Sequence, residues 1–425
     1  MNRWVRWTLL ALVSVVLVGC ETHRTAVTTA PETPPEEAGL TVDVKELGAT
    51  ATTPTAGATT LGGPLPGLDA EQLARFNEGR DDFVEEDSIE DGLGPVFNEA
   101  SCVACHDAPV GGTNGRAETR FGRWIGGRFD PLAEHGGSLI QDHAIGAVAG
   151  GAGAFTFVPE VVPAAANARA TRITTPLFGL GLVDAVPDLT FIMLARLQSY
   201  YSPSTRGRPN FVTEIRTGAT RVGRFGWKAQ VPTLHQFSGD AYLNEMGITN
   251  PEFPTENCPQ GDCGLLAFNP FPTLNNDGED VERFADFMTL LGPPPRGSRS
   301  LLTALGEYWF GQVGCAGCHT PALVTGLSPV AALSRKVFRP YSDFLLHEMG
   351  ALGDGIVQGR AGPREMRTAP LWGLSAHTTF LHDGRATSIE DAILAHSGQG
   401  AQSRARYTRL PPGPRASLLA FLRSL

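Results

Sequence analysis

Cys102-Val103-Ala104-Cys105-His106 and Cys315-Ala316-Gly317-Cys318-His319 are two copies of one short pattern, C-x-x-C-H, in a chain of 425 residues. Two thiols three residues apart can both reach the vinyl groups of a porphyrin, and the imidazole that follows then falls over the ring as an iron ligand. Each copy therefore reads as a covalent attachment site for haem c, with His106 and His319 as proximal ligands. A zinc half-site or a redox dithiol would use the same cysteine spacing. Both copies carry the histidine, however, and no other cysteine pair supplies a second zinc half-site.

Export follows from the first twenty residues. Arg3 and Arg6 precede an apolar run, Leu9 to Val18, that is too short to span a bilayer comfortably, and the segment ends Leu17-Val18-Gly19-Cys20. That ending resembles a bacterial lipobox. Cys20 is then the expected lipidated N-terminus, and Glu21 favours the outer membrane; a cleaved leader or an uncleaved anchor are the alternatives, and each places the remainder outside the cytoplasm. Seven cysteines are accounted for: one for lipid, four for haem, and Cys258 with Cys263. These last two flank a turn-rich Pro259-Gln260-Gly261-Asp262, where an oxidising compartment makes a disulfide the default.

The net charge of −10, with no basic cluster, argues against nucleic acid as a partner. Residues 21–68 are rich in Thr, Ala, Pro and Gly and cannot bury a core, so a disordered tether is expected between leader and folded body. Folding should begin near Leu68, with Asp69 capping a helix that runs through Leu73 and Phe76.

Beyond the haem motifs, the chain repeats itself. Phe97 and Phe310 each stand five residues before the first haem cysteine. Thr174 to Leu180 (TTPLFGL) matches Thr368 to Leu374 (TAPLWGL) at six of seven positions, counting the two aromatics as equivalent. Val281-Phe284-Phe287-Leu290-Leu291 and Leu418-Leu419-Phe421-Leu422-Leu425 then form apolar stripes at helical spacing. The expected architecture is mainly α, with two tandem cytochrome c-like domains: residues 69–296, carrying long loop insertions, and a compact 297–425.

Several stretches together resemble a known family. Gly92 to Phe97, Arg224 to Ala229 (RFGWKA), Leu345 to Gly350 (LLHEMG), Arg367 to Leu374 and Phe380 to Arg385 (FLHDGR) look like the di-haem oxidoreductases, relatives of the bacterial di-haem cytochrome c peroxidases. The likeness runs over nearly all of residues 70–425. It implies two haems with divided labour: a six-coordinate C-terminal haem accepts electrons from a small donor cytochrome or another periplasmic donor, and the N-terminal haem meets hydrogen peroxide. A calcium ion is a further candidate cofactor. In the peroxidases a Met at the end of the helix after the HDG motif ligates the C-terminal iron. Here the matching position is His396, which implies a bis-His iron of lower potential, with Met349 as the alternative.

The distal ligand of the first haem stays open among His135, His143, His235, Met246, water and an empty position. Glu245, Asp184 and Glu348 are unranked candidates for the acid/base that peroxide chemistry requires. His382 is expected to orient a loop or hydrogen-bond a propionate, and Arg364, Arg367 and Arg385 suit propionates as well. Trp227 and Trp372 are candidate electron-path residues or simply core. An electron carrier with both irons saturated, or an oxidoreductase acting on oxygen or a partner protein, competes with the peroxidase reading.

Overall fold

The computed structural model describes residues 60–150 and 153–425, which belong to one compact unit, Thr59–Leu425. The leader, Cys20 and nearly all of the expected tether lie outside the described residues.

Asp69 caps the first helix, α1 (Ala70–Val84): its carboxylate accepts the Gln72 N–H at 2.9 Å while the Gln72 side chain accepts the Asp69 N–H, satisfying two donors that a helix start otherwise leaves orphaned. The helices that follow are α2 (Leu180–Asp184), α3 (Asp188–Tyr201), α4 (Leu234–Met246), α5 (Glu279–Leu290), α6 (Leu301–Val313), α7 (Ile389–Ala395), α8 (Ala401–Thr408) and α9 (Pro412–Leu422). Pairing follows the repeat. The helix before each haem motif packs on the apolar helix that closes its repeat, α1 on α5 and α6 on α9.

Each crossing is built around a glycine. A Cβ on Gly79 would stand 2.1 Å from the Arg283 carbonyl oxygen of α5, and one on Gly306 would stand 2.0 Å from the Ser417 carbonyl oxygen of α9. The backbones thus approach closer than any side chain allows. The aromatic rings beside them form the two halves of the core: Phe83 lies 4.8 Å from Phe287 in the first, and Phe310 lies 5.4 Å from Phe421 in the second. Matched glycines also start the segments after the TxPL pattern, where Gly179 (φ 70°) and Gly373 (φ 73°) adopt the left-handed conformation that favours glycine.

Strands occupy much of what the sequence suggested were loop insertions, and four more lie in the stretch expected to be compact. They are β1 (Val96–Phe97), β2 (Ala117–Ile125), β3 (Arg128–Asp130), β4 (His143–Ala144), β5 (Ala147–Gly150), β6 (Gly153–Thr156), β7 (Ala168–Ile173), β8 (Asn210–Thr213), β9 (Thr220–Gly223), β10 (Leu323–Val324), β11 (Val337–Phe338), β12 (Leu346–Glu348) and β13 (Glu365–Arg367). Strand β2 is central in an antiparallel β3-β2-β7 sheet, and the others pair in twos. With about 36% helix and 16% strand, the expectation of a mainly α fold is wrong. The reason is physical: most of these strands are only two to four residues long, and the longest, β2 and β7, carry the charged Glu118, Arg120 and Arg172 at positions that border a cavity. Their alternation therefore does not separate apolar from polar as a half-buried strand normally does.

Within the repeat, one pairing also changes. Phe83 of α1, not Phe97, is the counterpart of Phe310: Phe83 lies 5.9 Å from His106, as Phe310 lies 6.4 Å from His319. Phe97 instead stacks on His143 across β1 and β4.

The crossings yield a stability test. Gly306→Ala should cost roughly 1–3 kcal/mol through forced separation of α6 from α9, whereas Gly311→Ala on the same helix, whose Cβ would meet nothing within 4 Å, should be neutral or stabilising by up to about 1 kcal/mol. Denaturant unfolding of the two variants against the parent measures the contrast.

Candidate functional site: two cavities with matched histidines

Both C-x-x-C-H segments fold alike, as a single 3₁₀ turn (Cys102–Ala104 and Cys315–Gly317). The histidine N–H of each donates back to the first cysteine carbonyl at 3.0 Å, His106 to Cys102 and His319 to Cys315. This turn brings two sulfurs and one imidazole to the wall of one cavity. The first cavity is about 170 Å³ and is bordered by Cys102, Cys105 and His106; the second, about 260 Å³, is bordered by Cys315, Cys318 and His319.

None of these four thiols is paired in a disulfide. Burial pushes Cys105 and Cys315 up to about 12 and Cys102 higher still, so they stay protonated, unlike a redox dithiol that works through a thiolate. No group of three or more His, Cys, Asp or Glu among the described residues could hold a metal ion. Neither zinc nor a carboxylate-bound calcium therefore has such a site among the described residues. Cys258 and Cys263 are joined in a disulfide.

The imidazoles are prepared as iron ligands. His106 Nδ1 faces the Gly112 carbonyl at 3.3 Å and His319 Nδ1 the Tyr341 carbonyl at 3.0 Å. Donation through Nδ1 leaves Nε2 as the lone-pair nitrogen, the usual outer-sphere arrangement for a metal-bound histidine. Burial lowers both to about 4, with the neighbouring His396 contributing at His319, so each stays neutral and able to ligate.

At the second cavity the fit with haem can be tested directly. His396, at the C-terminal end of α7, donates Nδ1–H to the Ala392 carbonyl at 2.7 Å. Its ring centre lies 6.4 Å from that of His319. An imidazole nitrogen lies about 1.1 Å from its ring centre and about 2.0 Å from the metal it ligates, so two imidazoles sharing one metal hold their centres about 6.2 Å apart. The separation has room for one iron and little else. Met349 also borders this cavity, as do Arg367 and His382. Arg367 is buried, with Nε donating to the Gly226 carbonyl at 2.7 Å. Arg364 and Arg385 are instead exposed and paired with Glu348 and Asp383.

The first cavity is different. His135, His143 and His235 do not border it; His143 pairs with Asp142, and His235 lies between Glu252 and Glu282. Of the candidates for a distal ligand only Met246 lines the wall, next to Glu245. Glu245 is the one acid/base candidate that reaches a cavity. Its Oε2 accepts from Asn98 Nδ2 at 2.7 Å, and burial, aided by the nearby Glu118 charge, pushes its carboxyl up to about 7. Asp184 and Glu348 border neither cavity.

Among the charged residues here that sequence reasoning missed are Glu118, Arg120 and Asp240. Glu118 and Arg120 are two apart on β2 and so share a face, where Arg120 Nε and Nη2 donate to the two Glu118 oxygens at 2.9 and 2.8 Å. Burial raises Asp240 to about 6. The E-x-R spacing was a signal available in the sequence, once that stretch is recognised as a strand.

Trp227 borders both cavities, its indole N–H donating to the Ile173 carbonyl at 2.8 Å. Trp372 borders neither and packs on Phe338 as core. His382 is buried with its ring 6.2 Å from Trp227.

Comparison with known proteins agrees with this arrangement. No curated protein sequence matches the chain. Solved structures that it resembles include hydrazine synthase from Kuenenia stuttgartiensis (14% identity, TM-score 0.36, covering 96% of this chain and 100% of that one) and a MauG-like protein associated with microbial copper homeostasis (14%, 0.37, 84% and 90%). A third is the diheme peroxidase BthA from Burkholderia thailandensis (14%, 0.37, 84% and 86%). Likenesses that distant carry no argument about activity. The sequence model described as "Di-haem oxidoreductase, putative peroxidase", in contrast, matches residues 166–425, more than half of the chain. With two cavities that each join a C-x-x-C-H turn to a neutral imidazole, this chain belongs to the di-haem oxidoreductase family.

Proposed function

We propose that the protein is an exported, lipid-anchored di-haem peroxidase that reduces hydrogen peroxide to water, H2O2 + 2 H⁺ + 2 e⁻ → 2 H2O. A donor outside the cytoplasm, a small cytochrome or another carrier, supplies the electrons. The observation that carries this reading is the asymmetry of the cavities. The second offers two imidazoles for one iron; the first offers a single histidine and a set of buried acids.

Haem c, attached through Cys102/Cys105 and Cys315/Cys318, supplies one-electron redox chemistry on His106 and on His319 and His396. The chain's own residues do the rest. Glu245, anchored through Oε2 by Asn98, keeps Oε1 to take a proton from peroxide and return it to the departing oxygen. A carboxyl near 7 can do both at neutral pH, which is the condition for efficient general acid/base work. Arg120, fixed by Glu118, places a positive charge beside the same cavity and favours the peroxide anion. Trp227 stands between the two cavities as the route for the electron, its indole N–H held in the hydrogen bond to the Ile173 carbonyl. Cys20 as the lipid-bearing N-terminus would hold the assembly on the periplasmic face of the envelope, the outer membrane being favoured by Glu21.

The electron-carrier reading would need a second strong ligand at the first iron. Met246 is the residue placed to supply it, and Met246→Ala separates the cases: unchanged peroxide turnover supports the enzyme, and turnover that appears only in the variant supports the carrier.

Covalency is tested by mass. Acid-acetone treatment of the denatured protein should leave two haems per chain, and recovery of free haem would contradict the attachment. His396→Met should raise the potential of one haem and leave the other alone, as a thioether favours ferrous iron more than an imidazole does; an unchanged potential would move the ligand to Met349. Glu245→Gln should lower peroxide turnover by about 10²–10⁴-fold with haem content retained. The proton is accepted by the carboxylate form, so the parent rate should rise with pH through about 7, and this rise should vanish in the variant.

A further inference from the structure

The Leu345 to Gly350 segment carries a histidine that borders the second cavity and meets the Cys318 sulfur. His347 on β12 is 2% exposed, and its two ring nitrogens meet different partners: Nε2 lies 2.9 Å from Asp343 Oδ2, and Nδ1 lies 3.1 Å from Gln399 Oε1 and 3.4 Å from Cys318 Sγ. The surrounding hydrogen bonds determine which nitrogens carry protons. Gln399 cannot present its amide N–H2 to His347, because Nε2 donates to the Arg206 carbonyl and Oε1 already accepts the Glu348 N–H, each at 3.0 Å. Nδ1 must therefore be a donor.

On the other side, the Asp343 carboxylate accepts from Gln198 Nε2 at 2.7 Å and from the Leu345 N–H at 3.0 Å. The Gln198 amide is itself oriented, since Nε2 also donates to the Gly317 carbonyl and Oε1 accepts the Gly207 N–H. Two donors on one carboxylate favour its anion, so the proton shared with Nε2 rests on the ring. Both nitrogens then carry hydrogen. Burial opposes charge on either partner, but their mutual attraction holds His347 well above, and Asp343 below, its ordinary range. Arg367 is a further charged group near the pair, and it interacts with Asp343.

We propose that His347 is a fixed cation, balanced by Asp343, that donates to the Cys318 sulfur and thereby positions and raises the potential of the haem on His319. The ring stands between carboxylate and sulfur, so of the two charges the positive one adjoins the Cys318 sulfur. That charge destabilises ferric more than ferrous iron and offsets part of the lowering that a second imidazole brings. His347 is a positioning residue, acting through the thioether and not on substrate. The same network fastens the attachment turn itself: the Asp343 N–H donates to the Cys318 carbonyl at 3.0 Å, and Gln198 ties Gly317.

This inference rests on Cys318 carrying haem, and the experiment keeps the two claims apart. Denaturing mass spectra of the parent report attachment; loss of haem there fails the attachment reading and not the role of His347 alone. Spectroelectrochemical titration of His347→Gln and of the double variant His347→Gln/Asp343→Asn then reads the potentials of both haems. The single variant, which leaves a lone anion beside the sulfur, should lower the potential of the His319 haem and leave the His106 haem unmoved. The double variant, neutral again, should return it towards the parent value. A single variant with an unchanged potential overturns the proposal, as does a double variant lowered as far as the single one, which would mark a packing effect. Should His347→Gln not accept haem, the double variant decides alone, with the parent potential expected and a lowered one contradictory.

Discussion

Everything in this molecule depends on keeping two buried imidazoles neutral and pointed. A histidine ligates iron only through an unprotonated nitrogen, and burial in the cavity walls removes the competing proton from His106 and His319. One backbone carbonyl then claims Nδ1 of each, so that Nε2 alone is offered. The helix pairs that cross at Gly79 and Gly306 hold those walls, bringing Phe83 and Phe310 against the rings. Duplicated sequence thus becomes duplicated ligand geometry.

Function arises where the duplication fails. At the second cavity α7 returns a second imidazole at the separation a shared iron needs; at the first, α4 and β2 supply acids and an arginine instead. Between them the segment with Trp227 is held by a buried charge cluster: Asp354 accepts from Arg172 at 2.7 Å and lies 2.8 Å from Lys228 Nζ, all three side chains essentially without solvent exposure. Lys228 also donates to the Gly362 and Glu365 carbonyls. Removing one partner from such a cluster strands a charge in low dielectric, at a cost of about 3–5 kcal/mol. The residue placed between the cavities is therefore fixed from both halves of the chain.

The sequence carried the thiol-imidazole turns and the helices of this arrangement plainly. C-x-x-C-H, the TxPL-aromatic-GL repeat and the closing helices are local patterns, readable because their spacing reflects one turn or one helix face. The place of His396 beside the second cavity was readable too, as the end of an amphipathic helix whose position the family resemblance supplied. The rest depended on contacts distant in sequence. Glu118 and Arg120 lie in a strand whose polar face meets a cavity, so apolar and polar residues do not separate there as in a half-buried strand, and nothing local marks the stretch as one. Glu245 stood unranked beside Asp184 and Glu348 because only tertiary packing decides which carboxylate a cavity receives. His347 was part of a recognised motif, yet its protonation follows from the orientations of Gln198 and Gln399, which no spacing encodes.

The central claim is that the two irons are inequivalent, one closed by paired imidazoles and one able to take an exogenous ligand. Electron paramagnetic resonance of the oxidised protein, recorded with and without cyanide, tests it most directly. One low-spin bis-imidazole signal that cyanide leaves alone is expected, beside a second iron whose signal shifts on cyanide binding. Two low-spin signals, both indifferent to cyanide, would contradict it.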